Sequence, residues 1–123
     1  MSHFTRVRTQ LRNLETVKQA LAELGYSVTE GTVRGYRGNV ADADLIVEIN
    51  DAYDIGFRQE ADQIVMVADF WGLRIDKESF LKSLSQKYAY LTIMEQAQSQ
   101  GWQAMSEELQ SDGSIRLVMQ RWS

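Results

Sequence analysis

Gln63-Ile64-Val65-Met66-Val67-Ala68-Asp69-Phe70-Trp71 is the stretch from which the fold is read. Successive side chains of an extended chain point to opposite sides. Ile64, Met66, Ala68 and Phe70 therefore share one face, and Val65, Val67 and Trp71 the other. Both faces are apolar. A strand of that kind lies inside a sheet and is covered on both sides. Asp69 interrupts the run, which is far too short to cross a bilayer.

Working outward, the Glu60-Ala61-Asp62 turn joins this strand to another over Tyr53 to Gln59. Ala43 to Asn50 reads as a third, with Leu45, Val47 and Ile49 on one face. Tyr26 to Glu30 reads as a short strand, and the three glycines of Gly31 to Asn39 read as a loop. Near the start, Thr5, Val7, Thr9 and Leu11 alternate with Arg6, Arg8 and Gln10, the pattern of a half-buried strand.

Asn13 then offers an N-cap to a helix whose stripe is Leu14, Val17, Leu21 and Leu24, with Gly25 as its stop. Asp76 caps a second helical region with Phe80, Leu84, Tyr88, Leu91 and Met94 near helical spacing, stopping at Gly101. A single helix of that length is long for so small a domain, so a break is expected near Gln86 to Tyr88. Trp102 to Leu109 and Ile115 to Trp122, joined through Asp112-Gly113, make a closing hairpin.

The expected fold class is α+β: a single antiparallel sheet of about six or seven strands with helices on one face, in one domain over 1–123. Each end reads strand, helix, Gly-aromatic corner and two strands. That is compatible with a degenerate βαββ duplication, and equally with the preference of αβ corners for glycine.

The 123 residues are 44% hydrophobic and 24% charged, which suits one packed core. Cysteine and proline are absent. The first absence removes disulfides, thiol nucleophiles and zinc-finger spacings, and fits a reducing compartment. The polar, basic start Met1-Ser2-His3-Phe4-Thr5-Arg6 is not a secretory signal. The net charge of −4 is uneven: residues 1–38 carry +3, residues 39–76 carry −7, and the remainder balances. Nucleic-acid binding is disfavoured by that distribution. The expected location is cytoplasmic, or stromal in a plastid.

Several stretches resemble one family. They are Met1-Ser2-His3-Phe4, Asn13-Leu14-Glu15, Val33-Arg34-Gly35-Tyr36 and Tyr53-Asp54-Ile55-Gly56-Phe57-Arg58. Ala68-Asp69-Phe70-Trp71-Gly72, Lys87-Tyr88-Ala89-Tyr90, Gly113-Ser114-Ile115-Arg116-Leu117 and Arg121-Trp122 continue it. Together they resemble the hypothetical chloroplast open reading frame 35 family of cyanobacteria and algal plastids, over nearly the whole chain. Tyr-Asp-Ile-Gly-Phe and Lys-Tyr-Ala-Tyr are the most specific segments. The resemblance implies a photosynthetic source and no particular reaction.

Read as chemistry, the residues offer no catalytic, cofactor or metal site. His3 is the only histidine, and general-base or ligand chemistry needs an orienting partner or further ligands. Asp42, Asp44, Glu48, Asp51 and Asp54 are oxygen donors, but Asp44 and Asn50 stand about 20 Å apart along a strand. The better reading is a solvated acidic edge. The glycines of Gly31 to Gly38 lack the following helix that a phosphate loop needs. Lys87 beside Tyr88 and Tyr90 marks the expected helix break.

Surfaces carry the functional expectation. One sheet face takes Val7, Leu45, Val47, Ile64, Met66, Ile115, Leu117 and Met119 beneath the helices. The other collects Phe4, Ile46, Val65, Val67, Trp71, Val118 and Trp122, interleaved with Arg6, Arg8, Glu48 and Arg116. With too few helices to cover both, the second face is expected to stay open. The leading expectation is a non-catalytic module binding a protein partner or a second copy through that face. The alternative is a small-molecule or anion-binding domain, conceivably an enzyme, using Arg34, Tyr36 and Arg37 with Tyr53, Asp54, Arg58 and Lys87.

Overall fold

A computed structural model describes residues 4–35, 38, 40–50 and 53–121. The chain runs β1 (Thr5–Arg8), α1 (Leu14–Glu23), β2 (Val28–Arg34), β3 (Val40–Glu48), β4 (Asp54–Glu60) and β5 (Gln63–Ala68). It continues through α2 (Phe70–Leu73), α3 (Lys77–Ser99), β6 (Trp102–Leu109) and β7 (Ile115–Arg121). The first five strands form an antiparallel sheet in the order β1-β5-β4-β3-β2. The architecture is α+β on an antiparallel sheet. β6 and β7 pair only with each other among the described residues, so the main sheet has five strands rather than six or seven.

The helix caps explain where the helices begin and end. Asn13 Oδ1 accepts from the Thr16 N–H at 3.2 Å, and Gly25 takes φ +95° just past α1. Asp76 accepts from the N–H groups of Glu78 and Ser79 at the start of α3, and Gly101 takes φ +84° beyond its end. Between those signals α3 runs unbroken for 23 residues, about 34 Å. No glycine or proline interrupts Gln86 to Tyr88, and the expected break is absent. The long helix carries the chain past the sheet. That is why the closing hairpin cannot join it: β6 returns alongside α3 and brings the Gly113 turn to the Gln86 side chain. β7, expected to contribute to the helix-covered face, is therefore not part of that sheet.

α1 and α3 cover one face of the main sheet. Leu45, Val47, Ile55, Phe57, Ile64 and Met66 pack there with Val17, Leu21, Leu73, Phe80 and Leu84. Each large side chain fully buried in this layer contributes about 1.5–3 kcal/mol relative to exposure.

The second face is not open. β2 extends through Arg34 rather than stopping at Glu30, and its register with β3 breaks between Thr29 and Gly31. A bulge of this kind bends the strand. Beyond it the β2–β3 hairpin folds across the sheet, laying Val33 and Ala43 over Gly56 and Gly35 against Phe4 and Asp69. Ile46, Val65 and Val67 are buried beneath it. The doubly apolar Gln63–Ala68 strand is therefore covered on both sides, by helices on one face and by a hairpin on the other.

Candidate functional site

Folding the hairpin across the sheet brings three sequence stretches to one end: Val33-Arg34-Gly35, Tyr53 to Gly56 and Ala68 to Gly72. Asp54, first residue of β4, points to the hairpin side and is only 3% exposed. Its carboxylate is met by Arg34 from two directions. The Arg34 N–H and Nε donate to Oδ2 at 2.8 and 2.9 Å, and Nη2 donates to Oδ1 at 2.9 Å. Nη2 also reaches the Asn50 carbonyl at 2.9 Å and lies 3.9 Å from Glu48. A fork of this geometry is the strong form of a charged hydrogen bond, and it answers the cost of burying Asp54.

Asp69 stands beside this pair, 2% exposed, with Gly35 over its Cβ. Its carbonyl accepts from the Gly72 N–H at 3.2 Å, closing the α2 turn. Tyr53 packs so tightly on Gly72 that any side chain there would overlap its ring. Between those two anchors Trp71 is presented outward, 71% exposed. Val40, opposite Arg34 across the hairpin, is exposed as well.

The residues expected to form an interface separate into groups. Ile46, Val65 and Val67 are interior. Phe4 is half-buried under Gly35, and Trp71 and Val118 are exposed but lie on different elements. Trp122 lies outside the described residues, as do Tyr36, Arg37, His3 and Asp51. Of the acidic residues, Asp51 lies outside the described residues, and Asp42, Asp44 and Glu48 are exposed on β3. β3 is interior to the strand order, Asp44 accepts from the Gln59 N–H at 2.7 Å, and Asp54 is committed to Arg34.

Of the alternative anion-binding set, Arg34, Tyr53 and Asp54 meet at this end, Tyr36 and Arg37 lie outside the described residues, and Arg58 and Lys87 stand apart. Arg34 is engaged by Asp54. Arg58 is four residues farther along β4, about 13 Å away, and 3.8 Å from Glu60. Lys87 sits across the molecule on α3, 3.9 Å from Glu23 and over the Tyr90 ring. Tyr88 is occupied structurally, its hydroxyl accepting from the Arg12 and Asn13 N–H groups at 3.2 and 3.0 Å.

Shallow polar clefts of about 260 to 390 Å³ follow α1 and α3, lined by residues such as Asn13, Thr16, Gln19 and Glu95. Among the described residues no group of three or more His, Cys, Asp or Glu is arranged to hold a metal ion. The displaced carboxyl pKa values belong to Asp76 and Asp112, both lowered first of all by the hydroxyl of a nearby serine, Ser79 and Ser114. Asp76 caps α3 and Asp112 holds the β6–β7 turn, both away from the Arg34 cluster.

The partnership of Arg34 with Asp54, and the burial of Asp69, were not read from the sequence. A signal was present: carboxylates within or beside apolar strands require a cation or donors nearby. No helix among the described residues is long and apolar enough to cross a membrane.

Comparison with known proteins gives the relatives. Residues 20–118 match the family described as "Protein of unknown function (DUF1257)". The chain is 36% identical to "Uncharacterized protein ycf35" of Guillardia theta, over 99% of this chain and 98% of that protein. The protein of that name from Cyanophora paradoxa is 36% identical over the same shares, and the one from Pyropia yezoensis 35% over 100% and 99%. No solved structure matches. The chain belongs to the DUF1257 family, together with the ycf35 proteins of algae.

Proposed function

We propose that this chain is a non-catalytic protein-binding domain of the cytoplasm or plastid stroma, and that its contact surface is centred on Trp71. The observation carrying the proposal is the 71% exposure of the Trp71 side chain on a turn held between Asp69 and Tyr53. Tryptophan on a rigid support is the residue type that dominates binding energy at interfaces. The turn supplies the support, because Tyr53 closes on Gly72 and Asp69 is anchored under Gly35. Arg34 and Glu48 supply a charged rim, and Val40 adds apolar area. Arg34, Arg58 and Lys87 of the rival anion-binding reading each face a carboxylate of this chain and stand on separate elements, which favours the interaction reading.

The test is parallel affinity capture from a photosynthetic organism with wild-type and Trp71→Glu baits. A protein retained by the wild type and lost from the variant supports the proposal. Equal retention by both overturns it.

A further inference from the structure

The two sheets end in four outer strands, β1 and β2 in one and β6 and β7 in the other. An unpaired outer strand presents a row of N–H and C=O groups that templates another strand, and proteins blunt such edges. Three of the four are blunted. β1 is only four residues long. β2 is broken at Gly31 and folds over its own sheet. β6 is broken between Ala104 and Ser106 and lies along α3.

β7 is neither short nor broken, and its charged residues are Arg116 and Arg121 alone. Ile115–Arg121 runs seven residues in continuous register, without glycine, proline or an acidic residue. Arg116, Val118 and Gln120 are exposed, and Val118 keeps 45% of its surface in solvent. Among the described residues its bonded neighbour is β6 alone.

We propose that β7 pairs with β7 of a second copy, antiparallel about a two-fold axis through Val118. A second copy fits because the strand can pair with itself without opposing like charges. Ile115–Arg121 is centred on Val118, so this register uses every residue of the strand. It sets Val118 against Val118 of the partner subunit, Arg116 against Gln120 of the partner subunit, and Arg121 against Ile115 of the partner subunit. No arginine meets an arginine, as an isologous contact requires. The result is a continuous four-stranded antiparallel sheet, β6-β7-β7-β6, in which both hairpins gain a neighbour. The Trp71 surface belongs to other elements, so the two proposals fail separately: Trp71→Glu leaves the dimer intact, and Val118→Lys leaves partner capture intact.

Sedimentation equilibrium of the full chain across the micromolar range tests the pairing, with circular dichroism confirming that each variant is folded. The wild type is expected to be a dimer. Val118→Lys and Val118→Glu are each expected to be monomers, because each sets like charges across the axis, and mixing the two restores a dimer. Gln120→Lys, which opposes a second cation to Arg116 of the partner subunit, weakens association about tenfold and serves as an independent variant. A wild type that stays monomeric overturns the proposal. So does a dimer that survives both Val118 variants and Gln120→Lys.

Discussion

Val33 lies directly over Gly56. A methyl group built on Gly56 would overlap Val33 Cγ2 and come within 2.8 Å of Ala43 Cβ. Gly56 stands between Ile46 and Val67 in the sheet, so the missing side chain is the recess that lets the β2–β3 hairpin close over this face. Gly56→Ala is expected to cost about 2–3 kcal/mol by overpacking. Combined with Val33→Ala it should cost less than the two single changes together, by about 1–2 kcal/mol. Urea titration of the four proteins measures the coupling, and strict additivity would contradict the contact.

Arg34 and Asp54 should behave as one unit. Arg34 is part-exposed, so removing it leaves a buried carboxylate with some access to water, and Arg34→Leu is expected to cost about 2 kcal/mol. Asp54→Leu is expected to cost a similar amount by stranding the guanidinium. The double variant should be more stable than the sum of the two losses, because neither charge is left alone. Denaturant unfolding of the cycle checks this.

Much of the architecture was legible because local signals agreed with it. Asn13, Gly25, Asp76 and Gly101 mark the helix ends, and Asp112-Gly113 marks the closing turn, with Gly113 at φ +89°. The alternation of Ile64 and Met66 with Val65 and Val67 pointed to cover on both faces, against the open second face expected from the small number of helices. What covers the second face was not legible. Gly31 to Gly38 reads as a loop because glycines carry no periodicity; Gly31 supplies a φ of +137° beside the bulge, and Gly35 and Gly56 let other atoms approach. The unbroken α3 was missed because expected domain size was weighed above a run with no helix breaker. Arg34 meeting Asp54 is a contact across 20 residues that the bent hairpin creates.

Asp76 should titrate below its ordinary value of 3.8, because the Ser79 hydroxyl, then the Ser79 and Glu78 N–H groups, favour its charged form. A lowered folded-state pKa makes a contribution that is complete above the unfolded value. That contribution is lost as pH falls through 3.8 toward the folded value. Ser79→Ala is expected to move the Asp76 midpoint upward, and NMR titration of the side-chain carboxyl carbon reads it. An unchanged midpoint would remove the hydroxyl as the leading cause.

The hairpin seals the second sheet face, and Trp71 stands exposed outside that seal. Thermal melting of Val67→Glu beside Trp71→Glu tests it most directly. Val67 is buried under the hairpin, so an unpaired carboxylate there should unfold the protein or lower Tm by well over 10 °C, as roughly 3 kcal/mol or more requires. Trp71→Glu should melt within about 3 °C of the wild type, since surface substitutions usually change stability little. A Val67→Glu variant that melts like the wild type, or a Trp71→Glu variant that fails to fold, would contradict the account.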